Sequence, residues 1–250
     1  MKILSLCNIK GGVGKTTFAV NIAYHASQAG INTLLWDLDP QGSATYLLRV
    51  KPKLKADASD FVAGKSSIAK SINETHWPLL DVLPAEFGLR RLPSLLEERK
   101  HHSARLSKSA RAFASGYDLV VVDSAPEASA VSENILNLSD LILVPVIPNQ
   151  LSIKTFEKLL DFAERAAARK PRIVAAFNMV DRRRQLHKQL LNAHIGYDAR
   201  FLRSYVPASS AIELMARNRA PLSAFNARSV GSTSFVELTS EALSVLGTIR

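Results

Sequence analysis

Lys10-Gly11-Gly12-Val13-Gly14-Lys15-Thr16-Thr17 stands between an apolar run over residues 3–7 and a helical pattern over residues 16–27. Strand, glycine-rich turn and helix, in that order, form the context in which such a loop holds phosphate. Glycines let the backbone curl so that successive N–H groups converge on phosphate oxygens. The helix behind them adds the positive end of its dipole to the same anion site. In that arrangement Lys15 reaches the β- and γ-phosphates, and the Thr16 hydroxyl is placed to hold Mg²⁺. Gly14, Lys15 and Thr16 match the C-terminal end of the general pattern G-x-x-x-x-G-K-[ST]. Ile9 occupies the place of its leading glycine, and a second lysine, Lys10, heads the loop. A ligand-free glycine turn has the same outline, but so many adjacent positions agreeing with one mechanism favour phosphate binding.

Outward from the loop, residues 32–37 read as a buried strand that runs into Asp37-Leu38-Asp39-Pro40-Gln41-Gly42. Apolar runs ending in acidic or glycine turns are how parallel strands deliver side chains to the carboxyl edge of a sheet. Beside a phosphate loop, Asp37 and Asp39 are candidates for Mg²⁺ and water handling; alone they would read as a cap and a turn. Residues 118–123 form a second such strand, ending in Asp123, which would orient the Mg²⁺ shell through a water. Further strands are expected at residues 79–83, 141–146 and 172–178. Helices are expected near 58–63, 67–72, 92–99, 103–115, 152–168, 183–193, 209–217 and 234–246. The basic stretch 49–55, broken by Pro52, reads as an exposed loop. There is no repeat and no linker. Strands alternating with helices predict one α/β domain over residues 1–250, a doubly wound and mostly parallel sheet.

With 47% hydrophobic and 22% charged residues, the composition is that of an ordinary globular chain. The N-terminal apolar run is too short for a secretory signal, and no window has the length of a membrane span. A single cysteine, Cys7, leaves no disulfide framework and no cluster ligand set, and fits a reducing cytoplasm. His25, His76, His101, His102, His187 and His194 have no metal-ligand spacing, and Ser124 has no paired base, so a nucleophile is not expected there. The net charge of +10 is uneven: residues 1–150 carry +2 and residues 151–250 carry +8. Such asymmetry suggests a polyanion partner met by the C-terminal part, against a plain solubilising surface.

Taken together, K-G-G-V-G-K-T-T, D-L-D-P-Q-G (37–42), V-V-V-D-S-A-P (120–126), V-P-V-I-P (144–148) and N-M-V-D (178–181) occur in the order and spacing of ParA-like ATPases. The chain resembles the ParA/MinD family of P-loop ATPases with a deviant Walker A motif, most closely the small ParA and Soj-type partition proteins. The resemblance implies a homodimer with ATP and Mg²⁺ between its subunits. It implies nucleotide contacts from Gly11, Gly12, Val13, Gly14, Lys15, Thr16 and Thr17. Lys10 would reach the partner's phosphates, and Asp39 would position the attacking water. Asp37 would support the metal site with Thr16 and Asp123, Asn178 would hydrogen-bond adenine, and Pro207 would flank the base. Ser43, Ile9 and Trp36 stand where the family often has Asn, Gln and a small aliphatic residue.

Larger partition ATPases carry an operator-reading helix-turn-helix domain before the first strand; the chain here starts on that strand, so site-specific repression is not expected. Non-specific binding to nucleoid DNA is expected instead. Between residues 182 and 228, nine Lys and Arg residues face only Asp198 and Glu213, and Arg200, Arg203 and Arg228 are the first candidates for phosphate contacts. The expected activity is ATP hydrolysis stimulated by a ParB-like or cargo-adaptor protein, positioning a plasmid, a chromosome, a carboxysome or a chemoreceptor cluster. The alternative is a MinD-like membrane ATPase, which ends in a basic amphipathic helix. Here the last helix carries Glu237 and Glu241 and no Lys or Arg before Arg250, so its apolar face is expected to pack on the sheet and no membrane partner is expected. A metabolic ligase on the same fold is a third class, for which no second substrate motif is present.

Overall fold

The computed structural model describes residues 1–52, 57–85, 87–98, 104–126 and 130–248. Seven strands form one sheet: β1 (Lys2–Leu6), β2 (Thr33–Asp37), β3 (Asn73–Glu74), β4 (Leu80–Leu83), β5 (Leu119–Asp123), β6 (Leu141–Val146) and β7 (Arg172–Phe177). Their spatial order is β3-β4-β2-β5-β1-β6-β7, and every pairing is parallel except β3 with β4. β2, β5 and β6 are buried at every position, as parallel strands covered on both faces must be.

Because side chains alternate across a strand, one sheet feeds two cores. Trp36, Val120, Val122, Ile142, Val144 and Phe177 point into one, covered by helices that include Ala58–Ala63, Arg105–Arg111, Ala130–Leu138 and Gln150–Ala166. Leu35, Val121, Leu141, Leu143 and Ala176 point into the other, under Lys15–Gln28 and Val230–Leu246. Helices on both faces make the sheet doubly wound. Trp36, a bulky residue where a small one was expected, is accommodated by an edge-on Phe113 at 5.3 Å and a stacked Phe61 at 6.1 Å between ring centroids.

The last helix begins earlier than its apolar period suggests. Ser229 caps it by accepting the Ser232 N–H, and Gly231 and Ser232 fill a first turn that lacks a hydrophobic signature. Its apolar face is buried: Phe235 meets Phe18 edge-on at 5.5 Å, with Leu238, Ala242 and Leu243 beside it. Among the described residues no helix is long and apolar enough to cross a membrane.

Several elements carry no clear sequence signal. Ala130–Leu138 is a helix amid Asn and Ser residues, and Ser43–Leu47 and Leu222–Asn226 are single turns and a little more. The span expected as a helix at 67–72 is a 3₁₀ helix, Ser66–Ser71, and the helix expected at 103–115 is shorter, Arg105–Arg111. Residues 53–55 of the basic stretch, together with His101, His102 and the ends of two expected helices (residues 99 and 103), lie outside the described residues.

Candidate functional site

The loop after β1 sits at the carboxyl edge of the sheet, where β1 is flanked by β5 and β6, the kind of crevice that open parallel sheets use for ligands. Its curl is held by two asparagines. Asn8, buried, donates its amide to the Pro145 carbonyl at 2.9 Å and accepts the Lys10 N–H at 2.9 Å. Asn178, buried at the end of β7, donates to the Val13 carbonyl at 2.8 Å. Gly12 and Gly14 turn the backbone at φ of +72° and +96°, and Lys15 opens the helix.

A Cβ on Gly14 would stand 2.3 Å from the Asn178 amide nitrogen. Gly14→Ala therefore combines a left-handed backbone with a steric clash. It is expected to destabilise the fold by roughly 1–3 kcal/mol, read as a lower midpoint in urea. An unchanged midpoint would mean that the Asn178 clamp is loose.

Lys15 is buried, with its ammonium 3.4 Å from the Lys10 carbonyl, and burial pushes its pKa down while Asp123, Cys7 and Asp39 pull it back up. Lys10 is exposed at the mouth of the loop, its ammonium 3.5 Å from the Ser152 hydroxyl, and among the described residues no carboxylate pairs with it. Gly11 and Gly12 are exposed as well, whereas Val13 is buried and Thr16 and Thr17 are half-buried.

Asp37 and Asp123 are directly opposite each other in the β2–β5 register, both fully buried. Their surroundings differ. Asp37 accepts the Thr45 N–H at 2.8 Å and the Thr45 hydroxyl at 2.7 Å on one oxygen, and the Asp39 N–H at 3.2 Å on the other. Neither oxygen of Asp123 has a partner at hydrogen-bonding geometry, with Thr16 and Lys15 as its favourable neighbours. Burial raises both pKa values, and the mutual charge raises that of Asp123 further. A buried carboxylate with unsatisfied oxygens is costly unless a cation is supplied. Among the described residues no three His, Cys, Asp or Glu side chains converge into a cage. Few protein ligands, a threonine hydroxyl and an adjacent phosphate loop fit Mg²⁺, which keeps waters and takes phosphate oxygens. Asp39 is half-buried beyond this pair and accepts the Gln41 N–H at 2.9 Å. It borders a cleft of about 510 Å³ lined by Leu38, Pro40, Leu92, Pro126 and Ile135.

Two residues beyond Asn178 the chain meets the Pro207 segment. Val180 bridges to Pro207, with the Ala208 N–H on the Val180 carbonyl at 3.0 Å. Asn178 thus faces the loop and lies one turn of chain from the segment expected to flank a base. Ser124 is accounted for structurally, donating to the Leu6 carbonyl at 2.8 Å.

The C-terminal arginines divide. Arg203 and Arg228 are exposed, and Arg203 lines a groove with Arg182 beside Val230. Arg200 is exposed but grips Asp198 with two bonds, at 2.7 and 2.8 Å, which lowers the Asp198 pKa and makes Arg200 the least available of the three candidates. Arg219 is committed within the fold: its guanidinium lies 4.4 Å over the Tyr46 ring and donates to the Tyr46 carbonyl, while Arg49 donates to the Asn218 and Arg219 carbonyls.

Asn8 and Thr45 were not anticipated. An asparagine between a buried strand and a glycine loop could have been flagged as a loop clamp; Thr45, inside a five-residue helix, carries no such signal.

The family model described as AAA domain matches residues 1–175. The chain is 27% identical to the chromosome partitioning protein ParA of Caulobacter vibrioides, over 98% of its own length and 94% of that protein. Among solved structures it resembles Mycobacterium smegmatis cobyrinic acid a,c-diamide synthase with bound ATP analog and magnesium, at TM-score 0.80 and 21% identity over 100% of this chain and 97% of that one. It also resembles apo McdA from Cyanothece, at TM-score 0.83 and 18% identity over 97% and 99% of the two chains. At these identities the two structures speak for the fold.

Proposed function

The chain belongs to the ParA/MinD family of P-loop ATPases, and from that premise we propose that it is an ATP-dependent positioning ATPase, one domain over residues 1–250, that dimerises on nucleotide and binds DNA without sequence preference. The observation that carries the reading is the pair of lysines at one loop. Lys15 is buried beside Asp123, and Lys10 is exposed at the mouth, donating to the Ser152 hydroxyl and paired with no carboxylate among the described residues. Lys15 serves the triphosphate of its own loop; an exposed second lysine is one that a partner copy can use, as an arginine finger is used elsewhere.

In this reading the loop backbone and Lys15 hold the ATP phosphates, and Thr16, Asp123 and Asp37 hold hydrated Mg²⁺. That cation neutralises charge developing on the transferred phosphoryl group. Asp39 orients the attacking water, and the partner's Lys10 completes the charge clamp. The Asn178–Pro207 segment receives adenine. Arg203 and Arg228, with Arg200 in a lesser role, meet DNA phosphates and release counterions. A dimer presents the patch twice, so nucleotide switches DNA affinity through avidity. The relative named for chromosome partitioning supports a segregation or positioning role. In this reading a ParB-like or cargo-adaptor protein stimulates hydrolysis, and the ATP-bound form resides on the nucleoid in the cytoplasm.

The test is DNA binding in ATP. Arg203→Glu combined with Arg228→Glu is expected to weaken DNA affinity at every sequence and to reduce the salt slope by roughly 2. Nucleotide affinity, measured in the same samples, is expected to hold. Gel shifts at several salt concentrations read the effect; unaltered DNA affinity would move the patch elsewhere.

A further inference from the structure

Thr45 is assigned no ligand, yet it is buried and makes three hydrogen bonds, two of them to Asp37. Its N–H and its hydroxyl both end on the same oxygen of Asp37, at 2.8 and 2.7 Å. Its hydroxyl oxygen also accepts the Ala85 N–H, at 3.0 Å, just past the end of β4. That third bond fixes the direction of the proton. A hydroxyl that receives an N–H from one side and faces a carboxylate on the other must point its own hydrogen at the carboxylate. Asp37 therefore has one oxygen filled by two strong donors. Its other oxygen keeps only the longer bond from the Asp39 N–H, at 3.2 Å.

We propose that Thr45 is a positioning residue for the cation site: it locks the Asp37 carboxylate in one rotation, with its second oxygen turned toward the hydrated Mg²⁺. The proposal rests on the ATPase reading. The same contacts tie Asp37, at the end of β2, to the segment just past β4, and the Asp39 N–H on the second Asp37 oxygen joins the Asp39 turn to that unit. Outer partners that orient ligands typically matter by about 10- to 100-fold in metal affinity. A residue that merely filled space would instead lower stability and leave the magnesium response alone.

The experiment compares Thr45→Val, Thr45→Ser and Thr45→Ala in the full chain. The probe is a non-hydrolysable ATP analogue titrated with magnesium and in excess EDTA, alongside hydrolysis as a function of magnesium. For Thr45→Val and Thr45→Ala, analogue affinity in EDTA is expected to stay within about twofold of the native chain. The magnesium concentration for half-maximal analogue binding and for hydrolysis is expected to rise by at least about tenfold. Thr45→Ser, which keeps the hydroxyl, is expected to restore both. A native magnesium response in either hydroxyl-free variant overturns the proposal, as does a Thr45→Ser chain as impaired as Thr45→Val. Should Thr45→Val fail to fold, Thr45→Ala and Thr45→Ser decide the question. Absence of analogue binding by the native chain would instead sink the ATPase reading itself.

Discussion

Lys15→Ala is expected to lower ATP affinity by roughly 10- to 100-fold, because a charge-assisted bond to phosphate is worth about 1.5–3 kcal/mol and each 1.4 kcal/mol is tenfold. A second effect should accompany it. Lys15 is the buried cation nearest Asp123, so its removal leaves two facing buried carboxylates with less compensation. The nucleotide-free variant is therefore expected to melt earlier than the native chain, while the native chain gains more from added nucleotide. Calorimetric titration with ATP and a thermal melt measure the two. Native affinity in the variant would refute the assignment of the loop.

Asp39→Ala is expected to spare binding and to act on catalysis. The side chain is half-buried, tethered to the Gln41 N–H and clear of the loop lysines' hydrogen bonds, so ATP affinity should persist. Loss of a group proposed to orient water should slow hydrolysis by roughly 10²- to 10⁴-fold. ATP-loaded dimers would then accumulate and stay on DNA. Phosphate release, sedimentation in magnesium and nucleotide, and a gel shift read the three consequences together. If this variant sedimented as single protomers at saturating nucleotide, the proposal that two copies share the site would fall. If it hydrolysed ATP at the native rate, another residue would hold the water.

How much of this was legible in the sequence follows from how local each signal is. The phosphate loop, the acids at the ends of β2 and β5 and the strand-helix alternation are encoded within runs of five to ten residues, and the structure has them in register. The short helix Ala130–Leu138 was not legible, because its buried face includes Ser132, Asn134 and Asn137, whose polarity is met by bonds such as Asn134 to the Leu106 N–H. β3 is two residues long and antiparallel, too short to show a period. In the site, sequence order could name Asp37 and Asn178 but not their partners. Thr45 reaches Asp37 by folding one turn back, and Asn178 reaches Val13 across the sheet. Charge counting likewise singled out the C-terminal arginines, yet Arg219 turned out to be stacked on Tyr46 and Arg200 to be matched by Asp198.

The bond from Asn178 to Val13 joins positions 165 residues apart, and it bears on how the protein is made. On the ribosome the glycine turn emerges first and must wait for most of the polypeptide before the amide that braces it is synthesised. A nascent chain stalled short of that point would have the glycine turn and the Asn8 bond to the Lys10 N–H yet lack the Asn178 brace, so on the proposed reading tight capture of nucleotide waits for the closing stage of translation. On the proposed reading, premature release products would be poor competitors for ATP.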